Sequence, residues 1–153
     1  MKKIIGIDEE KNNAGQEASR QPITSQLKQW PVKLKVIPPT APFLENAAIL
    51  VSADCCAYAY GDFHNKFMKE KVTVIACSRF DIEDHGEKFT NLLSFNNTKS
   101  ITITRMDLPC CKGIEKAVIT AIEKSGKKIP VEINVLSTAG EIIENRSLNE
   151  TTG

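Results

Sequence analysis

The 153-residue chain has no apolar stretch near the roughly 20 residues that a membrane-spanning helix needs. Surplus charge is missing too. Twenty Lys and Arg stand against 19 Asp and Glu, a formal charge of +1, with neither a basic stripe nor an acidic block. These absences argue against a membrane partner and against nucleic acid. The glycines form neither Gly-x-Gly-x-x-Gly nor a Walker pattern, so a nucleotide cofactor has no support. Asp54 and Asp107, which precede cysteine groups, are too far apart in sequence to suggest a general acid and base. The Cys-x2-Cys knuckle typical of structural zinc is also absent. The N-terminus begins like a signal peptide, but its apolar run stops at Asp8-Glu9-Glu10, which predicts a cytoplasmic protein.

Cysteine is present in an unusual arrangement: Cys55-Cys56, Cys77 and Cys110-Cys111. In a reducing cytosol five cysteines, an odd number, read as thiols or ligands rather than as a disulfide framework. Each group follows a short apolar run that reads as a strand: Ala47–Val51, Val72–Ile75 and Ile101–Ile103. With Val131–Val135 and the alternating Val32, Leu34 and Val36, these runs predict about five strands. Helical spacing appears in Tyr60, Phe63, Phe67 and Met68 within residues 58–71. It recurs in Phe89, Leu92, Leu93 and Phe95, begun by Asp81 or Asp84, and in Ile114, Ala117, Val118, Ala121 and Ile122, stopped at Gly126. Alternating strands and helices predict an α/β fold, a three-layer, mostly parallel, doubly wound sheet. Residues 1–29 read as a flexible N-terminal arm, 30–144 as the domain and 145–153 as a frayed tail.

In an open parallel sheet, ligands bind at the C-terminal ends of the strands, and all three cysteine groups fall on that edge. A lone cysteine reads as a small buried hydrophobe; three groups on one edge favour ligation. Adjacent cysteines suit one small ion poorly, whereas an iron–sulfur cubane offers separate iron corners that neighbouring thiolates can reach. Zinc binding and a thiol redox sensor are the alternatives. His64, at the start of a helix, is a candidate hydrogen-bond donor to a cluster sulfur or a proton carrier. His85 reads as solvated, and Tyr58, Tyr60 and Phe63 as one core-facing helix face.

The segments Trp30-Pro31-Val32-Lys33-Leu34, Ala53-Asp54-Cys55, Ala59-Tyr60-Gly61-Asp62-Phe63-His64, Ala76-Cys77 and Pro109-Cys110-Cys111 resemble a prokaryotic family of iron–sulfur-binding, ferredoxin-like oxidoreductases common in anaerobes. The similarity covers about residues 25–144. It implies one [4Fe–4S] cluster held by Cys55, Cys77, Cys110 and Cys111, with Cys56 outside the set. Members usually carry an N-terminal ferredoxin module with two Cys-x2-Cys-x2-Cys runs, which this sequence does not contain. The resemblance therefore implies that a separate ferredoxin, or another redox protein, delivers the electrons.

Overall fold

The computed structural model describes residues 21–81 and 85–148, so most of the expected arm, Asp84 and residues 149–153 lie outside it. Five strands form one sheet: β1 (Ala47–Ala53), β2 (Val72–Ala76), β3 (Thr98–Met106), β4 (Val131–Leu136) and β5 (Ile142–Leu148). Their spatial order is β2-β1-β3-β4-β5; the first four run parallel and β5 is antiparallel to β4. The apolar runs form the central strands because those strands are covered on both faces. Leu50, Ile103 and Ile133 are wholly buried, each stabilising the fold by about 2 kcal/mol.

The chain moves outward from β1 in both directions, so right-handed crossovers send its connections to opposite faces. On one face α2 (His85–Phe95) and α3 (Lys112–Ser125) pack side by side. Asn96 stops α2 by donating to the Leu92 carbonyl at 2.8 Å, and Gly126, at φ 68°, closes α3. Lys127 Nζ then reaches back to the carbonyls of Leu93 and Asn96, joining the two helix ends. The other face is covered by the β1–β2 connection. The single helix expected across residues 58–71 is broken there into a four-residue turn, α1 (Cys56–Ala59), and a π-helical turn, His64–Met68. Tyr60 is extended and Gly61 follows it, which ends α1 early. Phe63 and Phe67 still pack into the core, with Tyr60 edge-on to Phe67, but Tyr58 is 94% exposed.

Two further expectations are corrected. Residues 32–36 make no strand: Leu34–Val36 is a 3₁₀ turn that buries Leu34 and Ile37, three positions apart, and leaves Val36 outside. The count of five is nevertheless met, because residues 142–148, in part assigned to a frayed tail, form β5. That strand is polar and half exposed, and its order comes from partners. Arg146 on β5 and Arg105 on β3 both hold Glu115 of α3, at 2.6 and 2.7 Å.

The β4–β5 hairpin turns at Gly140, φ 81°, where an added Cβ would run into the Ala59 carbonyl oxygen at the end of α1. Gly140→Ala should therefore lower stability by about 2 kcal/mol or more in chemical denaturation, from strain and collision together. Gly126→Ala meets open space and should cost only about 1 kcal/mol. Equal losses would contradict the close approach.

Burial works against the charged form of Glu115, but hydrogen bonds from Arg146 and Arg105 outweigh it and hold its pKa below the ordinary 4.5. A depressed carboxylate contributes stability that is fully present above pH 4.5 and lost as pH falls through the folded value. Glu115→Gln should lower the denaturation midpoint at neutral pH and flatten its decline in acid; an unchanged acid limb would exclude this link.

Candidate functional site

The cysteines collect where the chain reverses its winding. β1 is followed in sequence by β2 on one side and paired with β3 on the other, so the crevice between the C-terminal ends of β1 and β3 is the switch point of the sheet. Cys55 and Cys56 follow β1, Cys77 follows β2, and Cys110 and Cys111 follow β3. All five are free thiols. Cys55 is exposed, Cys77 and Cys110 are half-buried, and Cys56 and Cys111 are buried.

Cys56 lies beside the hydroxyls of the register pair Ser52 and Thr104; Ser52 donates to the Ala53 carbonyl at 2.9 Å, and the buried Thr104 hydroxyl has no hydrogen-bond partner. Burial pushes its pKa up to about 11; those hydroxyls oppose the shift, and the nearby Cys111 and Cys55 charges reinforce it. Burial also raises Cys111, which feels the charges of Cys110 and Cys55, while a hydrogen bond from the Met106 backbone works the other way. Cys55, Cys56, Cys110 and Cys111 thus form one group of sulfurs, and ionising one burdens the next. Cys111 sits at the N-terminus of the 14-residue α3, whose dipole favours negative charge there.

Cys77 stands one strand over from Cys55. Its loop is tied to the group through Ser78, whose hydroxyl donates to the Cys110 carbonyl and whose Cβ packs against Gly113. The loop is closed in both directions: the Asp81 N–H donates to the Cys77 carbonyl at 3.1 Å, and the Cys77 N–H donates to the Asp81 carboxylate at 2.7 Å. Asp81 therefore serves this loop rather than beginning α2. His85, expected in solvent, is only 12% exposed at its side chain and sets Nε2 3.4 Å from Asp81.

Lys33 was not singled out by sequence. Its Nζ lies 2.6 Å from Asp54 and 3.2 Å from Asp81, the carboxylates beside Cys55 and Cys77. Partial burial opposes its charge, yet hydrogen bonds to both carboxylates outweigh that and raise its pKa. Burial likewise opposes the charged form of Asp81, and the Cys77 N–H and Lys33 outweigh it to lower the pKa. Residues 21–33 bring Lys33 here as a strap along the edge of β2. Gln29 pairs with the Thr73 backbone, and the Ile75 N–H donates to the Val32 carbonyl at 2.8 Å. His64 helps to hold this strap: its Nδ1 accepts the Gln26 N–H at 3.1 Å, leaving Nε2 alone for the role expected of it. The only sequence signal for the cluster was an aspartate at each end of a cysteine loop.

A five-stranded, mostly parallel sheet reversing beside β1 agrees with the family model that matches most of the chain. The chain belongs to the Rossmann-like domain family. The family model matches residues 41–152. The chain is also 29% identical over 119 residues to a protein of Archaeoglobus fulgidus described as an uncharacterized protein, covering 76% of this chain and 83% of that one. No solved structure matches it. Among the described residues no helix is long and apolar enough to cross a membrane. Nor do three Cys, His, Asp or Glu side chains among them close on one point as a single metal ion requires.

Exposure and the raised Cys56 pKa together set an order of reaction with iodoacetamide in the folded, metal-free chain. Cys55 should be alkylated first, with Cys56 blocked until the protein unfolds, as read by peptide mass spectrometry. Equal rates at these neighbours would refute the buried position of Cys56.

Proposed function

We propose that the chain holds one [4Fe–4S] cluster at the C-terminal edge of its sheet and exchanges single electrons with ferredoxin or another redox protein in the cytosol. The observation that carries this reading is the position of three cysteine groups on three adjacent parallel strands at the switch point. Cys55, Cys77, Cys110 and Cys111 are the ligands in this reading, matching the usual four thiolates. The donor set fits a cluster better than one zinc ion. A cubane spreads its iron corners, so its ligands need not close on a single point.

When bound, such a cluster supplies reversible one-electron chemistry. The chain's own residues do the rest. Cys56, Ser52 and Thr104 form a neutral floor beneath the ligands, because the Cys56 thiol keeps its proton. The N-terminus of α3 stabilises negative charge on Cys110 and Cys111. Tyr58, Phe80 and Leu108, one from each cysteine loop, are exposed large side chains around the site, a rim suited to a docking protein.

Anaerobic reconstitution tests the proposal. Equal iron and sulfide with a paramagnetic signal on reduction are expected; colourless protein holding stoichiometric zinc, or a chain that only cycles between thiols and a disulfide, would overturn it. Cys77→Ser should abolish or greatly weaken assembly while the fold persists, and Cys56→Ser should leave assembly intact. Equal effects of the two would refute this ligand choice.

A further inference from the structure

Lys33 lies outside the region matched by the family model, which begins at residue 41, yet its ammonium reaches two of the cysteine loops. Asp54 immediately precedes Cys55. Its Oδ2 is 2.6 Å from Lys33 Nζ, and its Oδ1 is buried with no hydrogen-bond partner, so this carboxylate depends on Lys33. Asp81 accepts from Lys33 through both oxygens, at 3.2 and 3.3 Å, while Oδ2 also takes the Cys77 N–H at 2.7 Å. The lysine is fixed from its backbone side as well, bridged to Ile75 two residues before Cys77. Without it, the Asp54 and Asp81 carboxylates would lose the cation they share.

We propose that Lys33 is a positioning residue for the cysteine site: its ammonium yokes the Cys55 loop to the Cys77 loop and holds one fixed positive charge beside both. The charge part rests on the cluster reading; the yoke does not. The strand ends are joined by the Asp54 N–H, which donates to the Ala76 carbonyl at 3.1 Å, but Asp54 and Asp81 share no hydrogen bond, so Lys33 is the side-chain link between the two loops beyond that point. One cation between two carboxylates leaves that corner with a single net negative charge instead of two, which favours the addition of an electron nearby.

Two measurements on the full chain separate the parts. In the metal-free protein, Lys33→Met should speed iodoacetamide alkylation of Cys77 roughly tenfold, as loss of one charge-assisted hydrogen bond predicts. Lys33→Arg, which keeps charge and donors, should restore the slow rate, and continued protection of Cys56 reports an intact fold. No acceleration in Lys33→Met, or no rescue by Lys33→Arg, overturns the yoke. Should Lys33→Met fail to fold, Asp81→Asn carries the same expectation for Cys77 and the same refutation. In reconstituted protein, Lys33→Met should shift the midpoint potential to a more negative value; an unchanged potential overturns the electrostatic part. A wild-type chain that takes up no iron sinks the cluster reading, and the alkylation result still decides the yoke.

Discussion

Ala53 pairs with Ala76 and Ser52 with Thr104 in parallel register, so the last residues of β1 are hydrogen-bonded between β2 and β3. Because the strands point the same way, whatever follows each must emerge on one edge, within neighbouring strand spacings of about 5 Å. Residues 55, 77 and 110 are far apart in the chain and become neighbours by this pairing alone. The same register places Ser52 and Thr104 side by side under the Cys56 sulfur. An antiparallel β2 or β3 would carry its cysteines to the opposite end of the sheet.

The central strands were legible because burial on both faces demands continuous apolar runs, and Ala47–Val51 and Val72–Ile75 are such runs. β5 was not, because Ile142–Leu148 contains Glu144, Asn145, Arg146 and Ser147 and owes its order to β4 and to the Arg146–Glu115 pair. Periodicity reports which face a segment buries, whereas an edge strand with a wet face is specified by its partner. The opposite error arose at residues 32–36. There the alternation of apolar residues and lysines mimicked a strand, but Leu34 and Ile37 meet the core through a 3₁₀ turn. For the site, the cysteines announced themselves by following strands. Lys33 did not, since its partners lie 21 and 48 residues away and two of the three residues were read as a strand surface and a helix cap.

Charge connects these parts. Gathering thiols at one edge is unfavourable as soon as more than one ionises, and neighbouring cysteine charges add to the rise that burial causes in the pKa of Cys56 and Cys111. Burial dominates both shifts, so the deepest sulfur, Cys56, stays neutral. Two countercharges are built in, the N-terminus of α3 at Cys111 and the Lys33 ammonium between Asp54 and Asp81. A cation bound by the thiolates would complete the balance, because metal binding and thiol deprotonation are linked.

The same edge is poorly made for the ligand that a Rossmann-like fold most often suggests. A dinucleotide needs glycines after the first strand so that backbone N–H groups can approach its phosphates. Here residues 54–58 are Asp, Cys, Cys, Ala and Tyr, with side chains where the phosphates would lie. The Cys77 N–H is taken by Asp81 and the Cys111 N–H by the Leu108 carbonyl, so those two donors are already engaged. The acidic residue beyond the second strand, which in such proteins meets a ribose, is held here by Lys33 and by its own loop. A switch point whose carboxylates are engaged by Lys33 and whose strand ends carry cysteines in place of glycines offers little to an anionic nucleotide.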